Sequence, residues 1–463
     1  MPPRLRVRHA ASIDTALTCN CLLPVSYPPP PSDAARDVSA EDAPLLRLLT
    51  ASYELSATPC TSAGDAGSGG GGAAHVGECA LYECVGTFGD AHSRCAAPPL
   101  LQRTSGLPGV FDAVAAPSSL FGVAGGGGRC ALLACTDGSV RAVDTATLQP
   151  VAAPLSGLHA EMLTSCTPFC DAAPQLLCSA HTGTVFTCAV DGGGVTRQLE
   201  GHDYDAWCTA TLPTSGSWSA SSAQEETGGG GADVLLASGG DDGVCKLYDT
   251  RTDPSRATSR TRFDAGVTSI TPVFDTRGGG GGAGTAHATP YFIVGSYDES
   301  IALLDARSMR RPVARRCGLG GGVWRTSRCL HPRWRADDTA AAAAAPMPAC
   351  SWVNTHNVLV LPLMQGGAAL LPYDVHAAAE VVFGGEADDP LVCLYAAADE
   401  GGVAALTEHT LIYDTAVLRP LDCTAVGETG RPAAAAAAAV VATVSFYERR
   451  VDVWTVTAGD LQC

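Results

Sequence analysis

The chain has 463 residues, with 29 Lys plus Arg against 47 Asp plus Glu and a formal net charge of −18. That balance argues against a binder of phosphate backbones, which needs a basic surface. With 46% apolar and 16% charged residues it is too hydrophobic to be disordered throughout, and its length suits several domains or one large β architecture.

Met1 to Ala10 carries Arg4, Arg6 and Arg8 without an apolar run of signal length, and residues 5–9 already alternate as a strand. Three apolar strands follow at 14–24, 45–55 and 78–85. The next set is 109–117, 131–138 and 139–144, with Asp137-Gly138 as a turn. A third set covers 162–170, 175–183 and 184–191. The clearest set opens at Gly201-His202, runs through 206–213, continues at 233–243 and closes at 244–249. Then come 267–271, 291–298 and 300–305, followed by 323–332, 358–366 and 368–374. The last set is 411–418, 440–447 and 451–456, ending in Val453-Trp454.

Alternation with period two and Asp-Gly turns predict short antiparallel strands. A unit recurring every 40–50 residues or so fits WD-repeat propeller blades, which are ~40–45 residues long. The expected fold is all-β: a single seven-bladed WD-repeat β-propeller over residues 1–463 with Gly/Ala-rich loop insertions. Its blades are expected at about 13–104, 109–155, 162–200, 202–264, 267–317, 321–407 and 410–456, with 5–9 closing the last. The glycine runs at 69–72, 125–128, 228–231 and 278–282 and the alanine runs at 340–345 and 433–439 all fall between strands, as flexible loop insertions.

Lys246 is the only lysine and follows no glycine loop, so a P-loop is not expected. Twenty cysteines are scattered along the chain. Cys166, Cys178 and Cys188 alternate with apolar residues, as small buried hydrophobes do, while Cys166/Cys170 and Cys79/Cys84 lack zinc-site spacing. No metal or other cofactor is expected, and the compartment is expected to be reducing and cytoplasmic. The apolar stretch 432–447 is shorter than the ~20 residues of a membrane span, and prolines interrupt the uncharged stretch 339–373. A monomer with no nucleic-acid or membrane partner is the expectation.

Several motifs stand in a fixed order. Gly201-His202-Asp203-Tyr204-Asp205-Ala206-Trp207 precedes Ser238-Gly239-Gly240-Asp241-Asp242-Gly243, then Tyr248-Asp249-Thr250-Arg251. Gly295-Ser296-Tyr297-Asp298-Glu299, Leu304-Asp305-Ala306-Arg307 and Gly320-Gly321-Gly322-Val323-Trp324-Arg325 with His331-Pro332 come next. His409-Thr410-Leu411-Ile412-Tyr413, Ser445-Phe446-Tyr447 and Val453-Trp454 complete the series. In that order they resemble the WD-repeat family named diphthine methyltransferase and understood as diphthine methylesterase. The resemblance is densest over about residues 200–335 and returns at 409–456; the N-terminal half rests on blade pattern, with Asp14-Thr15 a slight match. It implies a carboxylic ester hydrolase that removes the methyl ester of methylated diphthine, the modified histidine of translation elongation factor 2, before the final amidation to diphthamide.

In a propeller, the innermost strand of each blade is entered from one face, and the turn between the second and third strands returns to that face. His202 to Asp205, Gly322 to Arg325, and Glu408-His409 with Tyr413 should therefore approach one mouth, with Asp14, Asp112 and Asp298 near its rim. The quaternary ammonium of diphthine is favoured by aromatic faces, which Trp207, Trp324 and Tyr413 can offer, and by the acids Asp203 or Asp205. Ester hydrolysis needs a base, His202 or His409, and oxyanion donors, Arg325 or loop N–H groups.

Each assignment has a structural alternative. His202 can bond the turn residue Asp242 in a blade network with Ser238 and Tyr248, and Trp207 and Trp324 can pack between blades. No GxSxG elbow or HExxH pair occurs. The competing function is a non-catalytic WD-repeat scaffold that holds protein partners on a propeller face.

Overall fold

In a computed structural model the described residues are 5–26, 46–55, 75–84, 97–122, 129–170, 173–192, 194–213, 234–253, 255–275, 287–326, 352–353, 358–374, 382–383, 392–395, 410–419 and 438–458. Strand β1 (Leu5–Asp14) leaves its sequence neighbours and pairs at the far end of the chain. The strands β2 (Cys19–Ser26), β3 (Leu46–Leu55), β4 (His75–Cys84) and β5 (Leu100–Pro108) form an antiparallel sheet in chain order. A three-stranded sheet follows: β6 (Val110–Pro117), β7 (Arg129–Cys135) and β8 (Val140–Asp144). Bridges from Val140 to Leu155 and from Val143 to Pro150 cover its outer edge.

Next come β9 (Leu163–Cys170), β10 (Pro174–Ala180), β11 (Val185–Ala189) and β12 (Val195–Gln198) in one sheet. The sheet of β13 (Ala206–Pro213), β14 (Val234–Gly240), β15 (Val244–Asp249) and β16 (Ser259–Arg262) repeats the plan. So does that of β17 (Val267–Asp275), β18 (His287–Ser296), β19 (Ser300–Asp305) and β20 (Ala314–Arg316). A five-stranded sheet holds β21 (Trp352–Val353), β22 (Val358–Pro362), β23 (Ala368–Asp374), β24 (Val382–Phe383) and β25 (Val392–Cys393). The final sheet pairs β26 (Ile412–Arg419), β27 (Ala438–Ser445) and β28 (Arg450–Ala458) with β1, from Leu5 opposite Ala458 to Asp14 opposite Arg450. The fold is nearly all-β, with six sheets of four or more strands in a β-propeller arrangement. Apart from strands, the described regular structure is one 3-10 turn, Ser118–Phe121.

The apolar core lies between sheets. Cys208, Leu247 and Phe263 of one sheet pack on Ile270, Phe292 and Leu304 of the next, and Phe169 and Leu177 pack on Leu236 and Tyr248. The three-stranded sheet packs on both of its sequence neighbours: Leu133 and Val143 face Leu49 and Leu81, while Leu132 and Ala142 face Leu176 and Phe186. The N-terminal Ile13 and Leu22 meet Val444 and Val451, so β1 joins the chain's two ends. Cys166, Cys178 and Cys188 belong to one such cluster as small apolar groups, and the twelve cysteines whose side chains are described are free thiols, buried except for Cys317. No helix among the described residues is long and apolar enough to cross a membrane.

Close approach between a turn and the next incoming loop explains the Asp-Gly and Thr-Gly signatures. Gly183 has φ 81°, and a Cβ there would stand 2.3 Å from the His202 carbonyl oxygen. Gly138, at φ 73°, would meet the His159 carbonyl at 2.1 Å. Only glycine fits such a site.

Two predicted strands change. The strand expected at 5–9 extends to Asp14, so Asp14 ends an outer strand and is exposed rather than lying near the channel rim. The strand expected at 323–332 is irregular over its described part, 323–326, although the Trp324 backbone N–H still reaches the Pro362 carbonyl at 3.3 Å. Residues 327–332 lie outside the described set.

Candidate functional site

The first strands of successive sheets pack side by side: β2 against β6 and β26, β6 against β9, β9 against β13, and β13 against β17. They are therefore the inner strands. Near the start of each, the pairing register slips by one residue. Asn20, Phe111, Trp207, Thr268 and Tyr413 are skipped in this way, and Thr164 is skipped in β9. A bulge bends the strand and re-aims the extra side chain, and here it does so at the same position in six sheets.

Two kinds of residue occupy these bulges. Asn20, Thr164 and Thr268 tie their own strand to the next: Asn20 Nδ2 donates to the Phe111 carbonyl at 2.6 Å, Thr164 Oγ1 to that of Ala206, and Thr268 Oγ1 to that of Val323. Phe111, Trp207 and Tyr413 instead supply rings, and Trp324 stands just after Val323 in the same relation. The rings meet. Trp324 lies 5.3 Å from Trp207, 5.3 Å from Tyr297, 5.1 Å from Tyr413 and 6.4 Å from Phe111, between centroids. Phe111 stacks near Trp207 at 6.0 Å and contacts Tyr53 at 5.7 Å; Tyr413 stacks on Phe446 at 4.8 Å, and Phe446 touches Tyr447 at 5.1 Å. The cluster grades from buried Trp324 and Phe111 through half-buried Trp207, Tyr297 and Tyr413 to exposed Tyr447.

Acids border this cluster. Trp207 Nε1 donates to Asp241 Oδ1 at 3.3 Å, and the Asp241 N–H donates to the Asp205 carbonyl at 2.7 Å. Burial, then Tyr413 and the charges of Asp241 and Asp205, push the Tyr297 hydroxyl upward, so the acids' field reaches the rings.

On the other side of Phe111 is a buried charge cluster. The Arg325 guanidinium sits over the Phe111 ring at 5.1 Å. Its Nη1 meets Asp112 Oδ1 at 3.2 Å and lies against Cys21 Sγ, and its Nη2 donates to the Phe111 carbonyl. Burial opposes the guanidinium's charge, but Cys21, Asp112 and Asp414 more than offset it and raise its proton affinity. Asp414 accepts the N–H of Leu22 at 2.9 Å and of Thr415 at 2.8 Å. Burial lifts its carboxyl from 3.8 to about 6 against the pull of Arg325. Burial also pushes the Cys21 thiol up to about 12, which leaves it protonated and unreactive at neutral pH.

The predicted residues divide accordingly. Trp207 and Tyr413 both meet Trp324, and Arg325 lies close by against Phe111. His202 does not join them. Its Nδ1 meets Asp242 Oδ1 at 2.9 Å and its Nε2 meets Ser238 Oγ at 2.8 Å, and Ser238 continues to Tyr248 at 2.9 Å. Both ring nitrogens are occupied and the side chain is fully buried, so this geometry fits the blade network. Asp203 is exposed and gives only its backbone N–H, to Asp242 at 3.3 Å. Asp205 borders the site through Asp241 and also faces His181 at 3.3 Å. His409 lies outside the described residues.

Of the expected rim acids, Asp112 lies in the buried charge cluster. Asp298 instead repeats the role of Asp242 one sheet on, accepting from Ser300 and from Arg315 at 2.6 Å. The lone Lys246 is structural too, donating to Glu200 at 3.2 Å and to the Gly201 carbonyl. Among the described residues no group of three or more His, Cys, Asp or Glu is arranged to hold a metal ion.

No family model matches the chain. Over 159 residues it is 29% identical to a Dictyostelium discoideum protein named diphthine methyltransferase homolog, a match covering 33% of this chain and 37% of that protein. Over 88 residues it is 36% identical to human diphthine methyltransferase, covering 19% of this chain and 17% of the human protein. The two matches support a place in the diphthine methyltransferase-named family. The matched stretches span well under half of either relative.

Within this diphthine methyltransferase-like chain, the sequence reading missed Tyr53, Phe111, Tyr297 and Phe446 among the rings, and Cys21 and Asp414 beside Arg325. A signal for part of this was present. Val110-Phe111-Asp112, Val323-Trp324-Arg325 and Ile412-Tyr413-Asp414 share one pattern of apolar, aromatic and charged residues at equivalent points of the repeat. Aligning inner strands by that triplet would have paired Phe111 with Trp324, and Asp112 and Asp414 with Arg325.

Proposed function

We propose that this chain hydrolyses the methyl ester of methylated diphthine on translation elongation factor 2, giving diphthine in diphthamide biosynthesis. The observation that carries the reading is the ring cluster of Phe111, Trp207, Tyr297, Trp324 and Tyr413, bordered by Asp205 and Asp241, with the Arg325 charge cluster against Phe111. Ring faces near acids attract a quaternary ammonium. A fixed guanidinium can stabilise the oxyanion that forms when water attacks the ester carbonyl. Asp414, buried and with both oxygens taken by the Leu22 and Thr415 N–H groups, adds to the field around Arg325 rather than meeting the water. The balance is ester plus water to acid plus methanol, with no external cofactor. His409 is the candidate base that takes the proton from that water and returns it to the departing methoxide, while the bonded His202 is assigned to the fold.

The three-stranded sheet is read here as the seventh blade of the ring. Its support is the packing of Leu132 and Leu133 on both neighbouring sheets and the bridges to Leu155 and Pro150 that stand in for a fourth strand. The cytoplasm, where elongation factor 2 works, and a monomeric state belong to the same proposal.

Incubating the protein with elongation factor 2 bearing methylated diphthine tests it. The expected result is loss of one methyl group by mass, with an equal amount of methanol released. A gain of methyl dependent on a methyl donor would overturn hydrolysis in favour of transfer, the activity in the relatives' names. A stable complex without any mass change would favour a scaffold.

A further inference from the structure

The side chains of Trp207, Trp324 and Trp454 are described, and they differ in one respect. Trp207 Nε1 donates to Asp241 at 3.3 Å, and Trp454 Nε1 donates to Thr443 Oγ1 at 2.9 Å. Trp324 Nε1 is buried and has no acceptor, in a residue only 5% exposed. Buried indole N–H groups normally find a partner, so an unmet one calls for a reason. Four rings, from Phe111, Trp207, Tyr297 and Tyr413, pack around Trp324. An acceptor supplied by a ligand would enter among rings suited to a quaternary ammonium.

We infer that the Trp324 indole N–H is a specificity-determining donor that receives the carbonyl oxygen of a carboxyl or ester group borne close to a quaternary ammonium. This deepens the proposed function and rests on its reading of the ring cluster as the substrate site. A cation held by ring faces alone is chosen by charge and size. One that also hands an oxygen to Trp324 is chosen by its chemistry, because a ligand lacking the oxygen leaves the buried N–H unmet. The site would thus separate betaine-like groups from plain tetraalkylammonium ions.

Two small probes read this without turnover: glycine betaine, which carries a carboxylate, and tetramethylammonium, which does not. Calorimetric titration of the wild type should give about tenfold tighter binding of glycine betaine, the value of one charge-assisted hydrogen bond. Trp324→Phe keeps a six-membered ring but loses the donor with part of the bicycle, so it should weaken tetramethylammonium somewhat, weaken glycine betaine more, and abolish the preference between them. A wild type that binds neither probe, or a Trp324→Phe protein that keeps the preference, overturns the inference.

A second measurement reads the donor in the wild type and uses the variant only to assign its signal. The chain has six tryptophans, so the indole N–H region of a nitrogen-15 spectrum is sparse. One signal, absent from Trp324→Phe, should move with glycine betaine and stay with tetramethylammonium. Equal movement with both probes overturns the assignment. If the preference is present but methylated elongation factor 2 loses no methyl, the donor role stands and hydrolysis fails. If hydrolysis occurs and the preference survives in Trp324→Phe, the reverse holds.

Discussion

Replacing Asp414 by Asn should change how stability depends on pH. The carboxyl is buried, accepts the Leu22 and Thr415 N–H groups, and lies in the field of Arg325 and Asp112. Burial dominates and raises its proton dissociation from 3.8 to about 6. Between those values the folded protein holds a proton that the unfolded chain has released. The stabilisation from this group is therefore complete below about pH 4 and is lost as pH rises through about 6. The gap amounts to about 3 kcal/mol at about 1.4 kcal/mol per pH unit. Asn cannot titrate. It also offers one acceptor to two backbone N–H groups, a loss of about 1 kcal/mol that is constant with pH. Urea unfolding followed by tryptophan fluorescence, from about pH 4 to about pH 7.5, gives both curves if the slopes with denaturant agree. The difference between variant and wild type should move by about 2.5 kcal/mol in favour of Asn on going from about pH 4 to about pH 7, and then level off. Parallel curves across that range would refute the reasoning and mean that water or a neighbouring charge already compensates the carboxylate.

Other substitutions test the rest of the site. Ser238→Ala leaves His202 Nε2 without its partner and should cost about 1–3 kcal/mol in urea unfolding, with turnover per folded molecule unchanged. A hundredfold loss of turnover in His202→Gln at unchanged stability would return His202 to the reaction. Arg325→Leu removes the guanidinium facing Asp112 and Asp414, and the unfolding free energy should fall by about 3–5 kcal/mol. Gly183→Ala forces a side chain onto φ 81° and against the His202 and Tyr204 carbonyls, so its melting temperature should drop by several degrees, corresponding to a loss of more than about 1 kcal/mol.

The parts of the chain that could be read in advance are those where a local pattern has one physical meaning. The apolar alternation of 244–249 between an Asp-Gly turn and an Asp end became β15, and 300–305 became β19. Both strands are packed on both faces, so their sequences carry the full signal. Strands β5 and β12 escaped. Residues 195–198 are exposed at every position, and none of 100–108 is buried. A sheet's outermost strand has little to bury, and without burial there is no pattern to read.

The same limit governs the site. Sequence alone determined the repeated strand–turn unit, the glycines at the turns and the His202, Ser238, Asp242 and Tyr248 set, because each depends on neighbours at a fixed repeat spacing. It also supplied Trp207, Trp324 and Tyr413 as rings on inner strands. Tertiary structure decided which side chains are used up and which are left over. His202 is consumed by its own sheet, whereas Arg325 meets Cys21 and Asp112 across 304 and 213 residues of sequence. Those contacts arise only when the inner strands are brought side by side. Neither that packing nor the resulting burial, which lifts Asp414 and leaves the Trp324 N–H unmet, is encoded in any single segment.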